Sequence, residues 1–138
     1  MSAQKIEALL AGSGVGFERI NEHTWRLTPG PKRTIEATLV WITGTFRKQG
    51  DLMKLYTDVG GLPDGADAKF FQDLFRKNRD MGHGAFALCD EATCCFVDTL
   101  ELAGCDQNEM DATLDWLARA GETYREKLDR SKLPYLET

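Results

Sequence analysis

Two neighbouring segments in the first half of the chain alternate apolar residues with other residues at a period of two. In the segment 34–41 the apolar positions are Ile35, Ala37, Leu39 and Trp41. In the segment 52–59 the corresponding positions are Met53, Leu55, Thr57 and Val59. Successive side chains of a strand point to opposite faces of a sheet, so each segment predicts a strand with one face in a core. The polar turn Arg47–Asp51 between them predicts that the two strands are antiparallel neighbours.

Four further segments have the composition of strands. Phe17–Ile20 and Trp25–Leu27 are rich in aromatic and branched residues and flank a short polar segment, which predicts a hairpin. Ala85–Cys89 and Cys94–Leu102 flank the polar turn Asp90–Thr93, which predicts a second hairpin.

Three segments carry apolar residues at helical spacing. Cap residues and glycine or proline stop signals predict helices from Ser2 to Gly12, from Asp67 to Gly82, and from Asp106 to a point before Pro134. Their predicted apolar faces are Ile6, Leu9 and Leu10 in the first, Phe70, Phe71, Leu74 and Phe75 in the second, and Met110, Leu114, Leu117, Gly121, Tyr124 and Leu128 in the third.

The order of these elements is helix, three or four strands, helix, two strands, helix. Short connections between successive strands favour a mainly antiparallel sheet, with the helices packed on it. The sequence therefore predicts an α+β fold, with residues 1–138 as a single domain.

The charge and hydropathy of the chain exclude several classes of function. A formal net charge of −5 repels phosphates, so nucleic acid is an unlikely direct ligand. The longest uncharged stretches are too short to span a bilayer, which needs roughly 18 or more apolar residues. The first residues lack the apolar region of a secretory signal, so we expect a cytoplasmic protein whose four cysteines are thiols.

The cysteines cluster between Cys89 and Cys105, with Cys94 and Cys95 adjacent. Zinc sites usually pair cysteines two to four residues apart, and adjacent strand residues point to opposite faces. Neither His23 nor His83 lies in a recognised cysteine-enzyme signature. We therefore expect buried, inert thiols, no catalytic residue and no cofactor; a thiol-based zinc or redox protein that uses the Cys89–Cys105 segment is the alternative.

The second half of the chain carries the residues of a family resemblance. These are Gly84-Ala85-Phe86 at the start of a strand, the run Phe96–Leu102, and Asp106, Glu109, Leu114, Leu117 and Ala118 at the start of the last helix. In this pattern and in its element order the chain resembles the YbjN family, described as sensory transduction regulators. The resemblance implies a fold similar to that of type III secretion chaperones, which are small, acidic, usually dimeric, and bind client proteins without a nucleotide.

The expected function is therefore non-catalytic binding of a client protein by a homodimer, as a chaperone or regulatory adaptor. A sheet that is apolar on both faces has more apolar surface than one layer of helices covers. The expected partner-binding residues are Trp41, Met53, Leu55 and Val59. The competing interpretation is that these side chains form the core or a dimer interface.

Overall fold

A computed structural model describes residues 2–44, 50–62, 65–89 and 93–130; the side chains of residues 80 and 122–130 are not described. The elements in chain order are α1 (Ser2–Gly12), β1 (Gly16–Asn21), β2 (Thr24–Thr28), β3 (Ala37–Ile42), β4 (Leu52–Gly61), α2 (Ala68–Asp80), β5 (Ala85–Leu88), β6 (Thr93–Glu101) and α3 (Gln107–Arg130). The predicted order is confirmed, with four strands in the first group.

The six strands form one sheet in the order β1-β2-β3-β4-β6-β5. Every pairing is antiparallel, as predicted from the short connections. The predicted neighbours β3 and β4 pair through the registers Leu39 to Leu55 and Trp41 to Met53. Most of the predicted turn Arg47–Asp51, and residues 90–92 of the predicted turn Asp90–Thr93, lie outside the described residues.

Strand β3 starts three residues later than the alternation predicts. The strand begins at Ala37, although Ile35 is buried as expected. The hydroxyl of Thr57 donates a hydrogen bond to the carbonyl oxygen of Glu36 at 2.8 Å. A side chain of β4 thus bonds the carbonyl of the residue that directly precedes β3.

The core lies between one face of the sheet and the helices. Helix α3 crosses β4 and β6, and α1 packs against α3 and β1. The largest fully buried side chains include Trp25, Phe70, Phe96, Leu10, Leu39, Met53, Leu55 and Leu114. The indole Nε1 of Trp25 donates to Glu7 at 2.9 Å, which joins α1 to β2. Helix α2 contributes Phe70 and Leu74 to the same core.

The predicted starts of α2 and α3 are confirmed by their hydrogen bonds. The Asp67 carboxylate accepts from the backbone N–H of Phe70 at 3.1 Å, and that of Asp106 accepts from the N–H of Glu109 at 2.8 Å. Each carboxylate satisfies a backbone donor that the first helical turn leaves without a partner. In the predicted stripe of α3, the side chains of Tyr124 and Leu128 lie outside the described residues.

One predicted core residue is wrong. Phe75 fits the apolar face of α2 by its spacing, but its side chain is 69% exposed. The helix buries Phe70 and Leu74 fully or nearly so, and Phe71 only in part. Helix α2 lies at the edge of the sheet beside the short strand β5, so only part of its apolar face has a partner.

Candidate functional site

The two faces of the sheet differ in what covers them. Strand register places Trp25, Leu39 and Leu55 side by side on the face that α1 and α3 cover, and all three are fully buried. The opposite face, here called the outer face, is defined by a row of paired residues that crosses all six strands: Glu18, Arg26, Thr38, Tyr56, Val97 and Ala85. Within the described part of the chain, no helix covers this row.

Three of the four expected partner-binding residues lie on the covered face. Met53, Leu55 and Val59 have no exposed surface in the single chain. Helix α3 lies over β4, and its buried residues Met110, Leu114 and Leu117 belong to the same core. In the single chain these side chains therefore form part of the core, as the competing interpretation expects. Their contact with a partner stays a prediction.

Trp41, the fourth of these residues, is half-buried near the end of β3. Its indole Nε1 donates to a carboxylate oxygen of Asp51 at 2.9 Å. The ring of His23 lies against it, with 4.6 Å between the ring centroids. Trp41 therefore fixes the end of the β3–β4 pair and still presents part of its ring at the surface.

The outer face carries two open grooves. The larger has a volume of about 730 Å³ and is lined by residues that include Lys54, Tyr56, Ala87 and Val97. The second, of about 560 Å³, is lined by residues that include Arg26, Thr38 and Tyr56. Tyr56 belongs to both grooves, so they meet at the centre of the sheet. Apolar side chains thus line the middle of this face, with charged side chains around them.

The β4 residues expected to bind a partner all lie on the covered face, so none of them marks the outer face. The signal was present in the other half of the same alternation: Val40 and Tyr56 are apolar or aromatic at positions where a solvent-facing strand residue is usually polar. Both are half-buried in the single chain. The period of two identifies two sets of residues, but only the helix positions decide which set is covered.

The four cysteines occupy different environments. Cys94 and Cys95 point to opposite faces, as predicted: Cys94 belongs to the core, whereas Cys95 is buried outside it. Cys105 is buried before α3. The prediction of buried thiols is wrong for Cys89, which is exposed because it follows the edge strand β5.

Burial raises the pKa of the Cys94, Cys95 and Cys105 thiols above the usual value. Cys89 is exposed as a residue, but partial burial of its thiol, then the neighbouring Cys95 and the Asp58 carboxylate, raise the pKa of this thiol as well. Each of these thiols is thus protonated at neutral pH, which makes it a weak nucleophile. Among the described residues, no group of three or more His, Cys, Asp or Glu side chains is arranged to hold a metal ion.

His83 lies in the turn between α2 and β5, beside the carboxylate of Asp98. Its Nδ1 is 3.9 Å from a carboxylate oxygen of Asp98, and its ring is 5.9 Å from that of Trp116. The buried hydroxyl of Thr113 donates to the same carboxylate at 2.9 Å. Asp98 therefore links β6 to α3. His83 lies in the turn and packs on these two elements through Asp98 and Trp116.

Two large apolar side chains are exposed at the β5 edge of the sheet. Phe75 on α2 is 69% exposed and Leu88 on β5 is 54% exposed. Asn78 of α2 bonds the backbone of Phe86, so the end of α2 lies alongside β5. The chain reverses between these elements, so residues before Asn78 lie beside residues after Phe86. Phe75 and Leu88, here called the edge patch, therefore lie along the same margin.

No helix in the described part of the chain is long and apolar enough to cross a membrane. No curated protein matches the sequence.

Comparison with solved structures gives a similar fold. A chain of the heterodimeric complex ExoU–SpcU from the type III secretion system of Pseudomonas aeruginosa superimposes with a TM-score of 0.66 and 19% sequence identity. The match covers 91% of this chain and 99% of that chain. The α+β architecture of the described residues, with a six-stranded antiparallel sheet and three helices, is thus a type III secretion chaperone fold.

Comparison with family models gives the same assignment from the sequence. Residues 52–132, from β4 into the last residues of the chain, match the model CesT_Tir_1. This segment contains the strands β4, β5 and β6 and most of the covered core, and it is more than half of the 138 residues. The chain therefore belongs to the CesT_Tir_1 family of type III secretion chaperones.

Proposed function

We propose that this chain is a cytoplasmic, client-binding chaperone that holds a segment of another protein without catalysing a reaction. The family supports a client-binding role, and the complex in which the similar fold occurs contains two different proteins. The observation that carries the proposal is the outer face, whose two grooves meet at Tyr56 and have no helix over them in the described residues. The narrower relationship to the YbjN family stays a prediction, as does the treatment of residues 1–138 as one domain.

The outer face suits an extended client segment. Val40, Tyr56 and Val97 offer apolar surface in the middle of the sheet. Arg26 and Lys54 lie near them and are exposed. A central apolar cluster with a polar rim is the usual anatomy of a protein interface. A client side chain that enters each groove beside Tyr56 would bury apolar area, which is the main favourable contribution to such binding.

The first experiment identifies the client and then tests the face. A tagged full-length chain is purified from its own cells, and a partner present at defined stoichiometry is identified by mass spectrometry. Its binding to the recombinant chain is then measured by calorimetry for the wild type, Tyr56→Ser and Val97→Ser. We expect each substitution to weaken binding at least about tenfold, because residues at the centre of an interface carry most of its energy.

Two matched variants separate the outer face from the residues first expected to bind. Glu18→Gln lies in the same row at the far strand β1 and should bind like the wild type. Trp41→Phe tests the half-buried tryptophan at the end of β3. A client affinity that falls with Trp41→Phe and is unchanged in Tyr56→Ser would contradict the outer-face proposal. It would favour the residues first expected to bind, which are Trp41, Met53, Leu55 and Val59.

We also propose that the chain is a homodimer whose contact includes the edge patch. Phe75 and Leu88 are large apolar side chains at the surface, and exposed apolar groups beside a strand edge favour association. The mass in solution should be twice the 15.5 kDa of one chain. Phe75→Glu should give a monomer with an unchanged circular dichroism spectrum, because the side chain contributes little to the core. A monomeric wild type would contradict the proposal.

A further inference from the structure

Two of the four thiols lie next to each other on the outer face. The register of β5 with β6 pairs Ala87 with Cys95. The backbone N–H of Cys89 donates to the carbonyl of Thr93 at 2.8 Å, which continues the same pairing by two residues. Cys89 and Cys95 are thus diagonal neighbours on the same face of the hairpin, and both line the larger groove.

The other two cysteines are excluded by their positions. Cys94 points to the opposite face and packs in the core. Cys105 lies beyond β6, where its thiol contacts the carbonyl of Asp106 at 3.5 Å. Cys89 is the one exposed thiol of the four, and Cys95 lies behind it at 3% exposure. An oxidant therefore reaches Cys89 first, and Cys95 is the other thiol on the same face of the hairpin.

We propose that Cys89 and Cys95 are a redox-sensitive thiol pair that a small disulfide oxidant, such as oxidised glutathione, converts into an intramolecular disulfide across the β5–β6 hairpin. Both residues line the larger groove of the outer face, so the modification changes the surface of that groove. The modification itself is independent of the proposed client.

The reaction balances with this oxidant alone. The Cys89 thiolate attacks one sulfur of oxidised glutathione, which breaks the oxidant's S–S bond and releases one glutathione thiolate. The Cys95 thiolate then attacks Sγ of Cys89 and releases the second glutathione thiolate. The two protons lost by the protein thiols end on the two glutathione molecules. The protein is oxidised by two electrons and the oxidant is reduced by two.

The geometry makes this disulfide a reversible one. Diagonal residues of an antiparallel pair have Cα atoms about 7–8 Å apart, whereas a relaxed disulfide spans up to about 6.8 Å. Formation of the disulfide therefore requires the two Cα atoms to approach by about 1 Å, and this movement strains the disulfide. Strained, exposed disulfides are more easily reduced than structural ones, so cellular thiols would reopen this pair.

The surroundings of the Cys89 thiol slow this reaction. An oxygen of Asp58 lies 3.5 Å from Sγ of Cys89, and its charge disfavours the thiolate that must attack. Partial burial of the thiol raises the pKa of Cys89 most, followed by the neighbouring Cys95 and then by Asp58. Oxidation should thus be slow near neutral pH and faster as the pH rises. A lower pKa of Cys89 increases the fraction of thiolate but makes each thiolate a weaker nucleophile. Each unit by which Asp58→Asn lowers the pKa of Cys89 should therefore speed the reaction by about threefold.

The test uses the reduced full-length chain in glutathione buffers of increasing oxidised fraction, between about pH 7 and about pH 9. Remaining thiols are alkylated in denaturant and counted by mass, and the linked peptide is identified by digestion. We expect loss of two alkylation sites, a mass lower by two hydrogen atoms, and a peptide that joins Cys89 to Cys95. Added dithiothreitol should restore all four thiols.

Single substitutions distinguish the proposed order of attack. Cys95→Ser should stop at a glutathione adduct on Cys89, whereas Cys89→Ser should remain unmodified. Cys95→Ala repeats the first experiment if the buried serine perturbs folding, which circular dichroism reports. Four free thiols at about pH 9, a link that includes Cys94 or Cys105, or a stable Cys89 adduct in the wild type would each overturn the proposal.

Discussion

The side-chain amide of Asn78 forms hydrogen bonds with both backbone groups of Phe86. Its Oδ1 accepts from the Phe86 N–H at 2.6 Å, and its Nδ2 donates to the Phe86 carbonyl at 3.2 Å. An edge strand normally presents such groups to solvent or to another chain. Helix α2 thus supplies, through one side chain, the pairing that a further strand would give to β5.

Removing this side chain should destabilise the β5 margin. Asn78→Ala removes two hydrogen bonds to the backbone of the buried Phe86, so we expect a loss of about 2–3 kcal/mol in the free energy of unfolding. Urea denaturation measures the loss, and hydrogen exchange should be faster at the Phe86 amide. Gln72→Ala, at an exposed position of the same helix, should cost little. Equal stability of the two variants would show that the bonds contribute nothing.

Substitutions on the two faces of β4 should affect different properties, stability on the covered face and client binding on the outer face. Leu55 is fully buried under α3, so Leu55→Ala should cost about 3 kcal/mol through lost burial and a cavity. Tyr56 is the next residue and lies on the outer face, so Tyr56→Ser should cost less than about 1 kcal/mol while weakening client binding. Chemical denaturation of both variants checks this order. A larger loss for Tyr56→Ser would contradict the assignment of the faces.

A charged group beside the end of α1 should make stability depend on pH. The hydroxyl of Ser13 donates to Asp111 at 2.6 Å, and this bond, followed by those from Gln107 and the nearby Arg33, lowers the pKa of Asp111. The Asp111 carboxylate therefore binds a proton more readily in the unfolded chain than in the folded chain. The stability from Asp111 is present above the unfolded pKa, about 3.9, and is lost as the pH falls through the folded pKa.

The comparison of wild type with Asp111→Asn tests this dependence. The variant keeps an acceptor for Ser13 and removes the titrating charge, so it should be less stable at neutral pH. The difference should shrink as the pH falls from about 4 through the lower pKa of the folded chain, below which the wild-type carboxylate is protonated in both states. Urea midpoints across this range provide the measurement, with Glu18→Gln as an exposed control. A difference that stays constant into acid would contradict the role of the charge.

The turn before β5 requires glycine at one of its two glycine positions. Gly84 has a φ of 69°, and a Cβ there would lie 2.6 Å from the carbonyl oxygen of Val97. Gly84→Ala should therefore cost about 2 kcal/mol or more, from both strain and backbone contact. A Cβ at Gly82 would meet only the side chain of Trp116, at 3.8 Å, so Gly82→Ala should leave the stability nearly unchanged. Thermal unfolding of the two variants checks the difference, and equal melting temperatures would contradict it.

Much of the fold follows from local patterns of residues. The alternation in β3 and β4, the hairpin turns and the caps at Asp67 and Asp106 each depend on neighbours within a few residues. Such interactions are encoded where they occur, so the order of elements and the antiparallel sheet could be predicted. The resemblance to type III secretion chaperones was likewise visible in the second half of the chain, which the family model matches.

The sequence by itself determined which residues alternate, where helices start and which class of fold they build. Only the tertiary structure decided that α3 covers Leu55 and leaves Tyr56 open, that Phe75 stays at the surface, and that Cys89 and Cys95 share one face. These outcomes depend on strand register and on which side of the sheet the helices occupy. A period of two is identical for both faces, so the choice between them is made by packing between residues far apart in the chain.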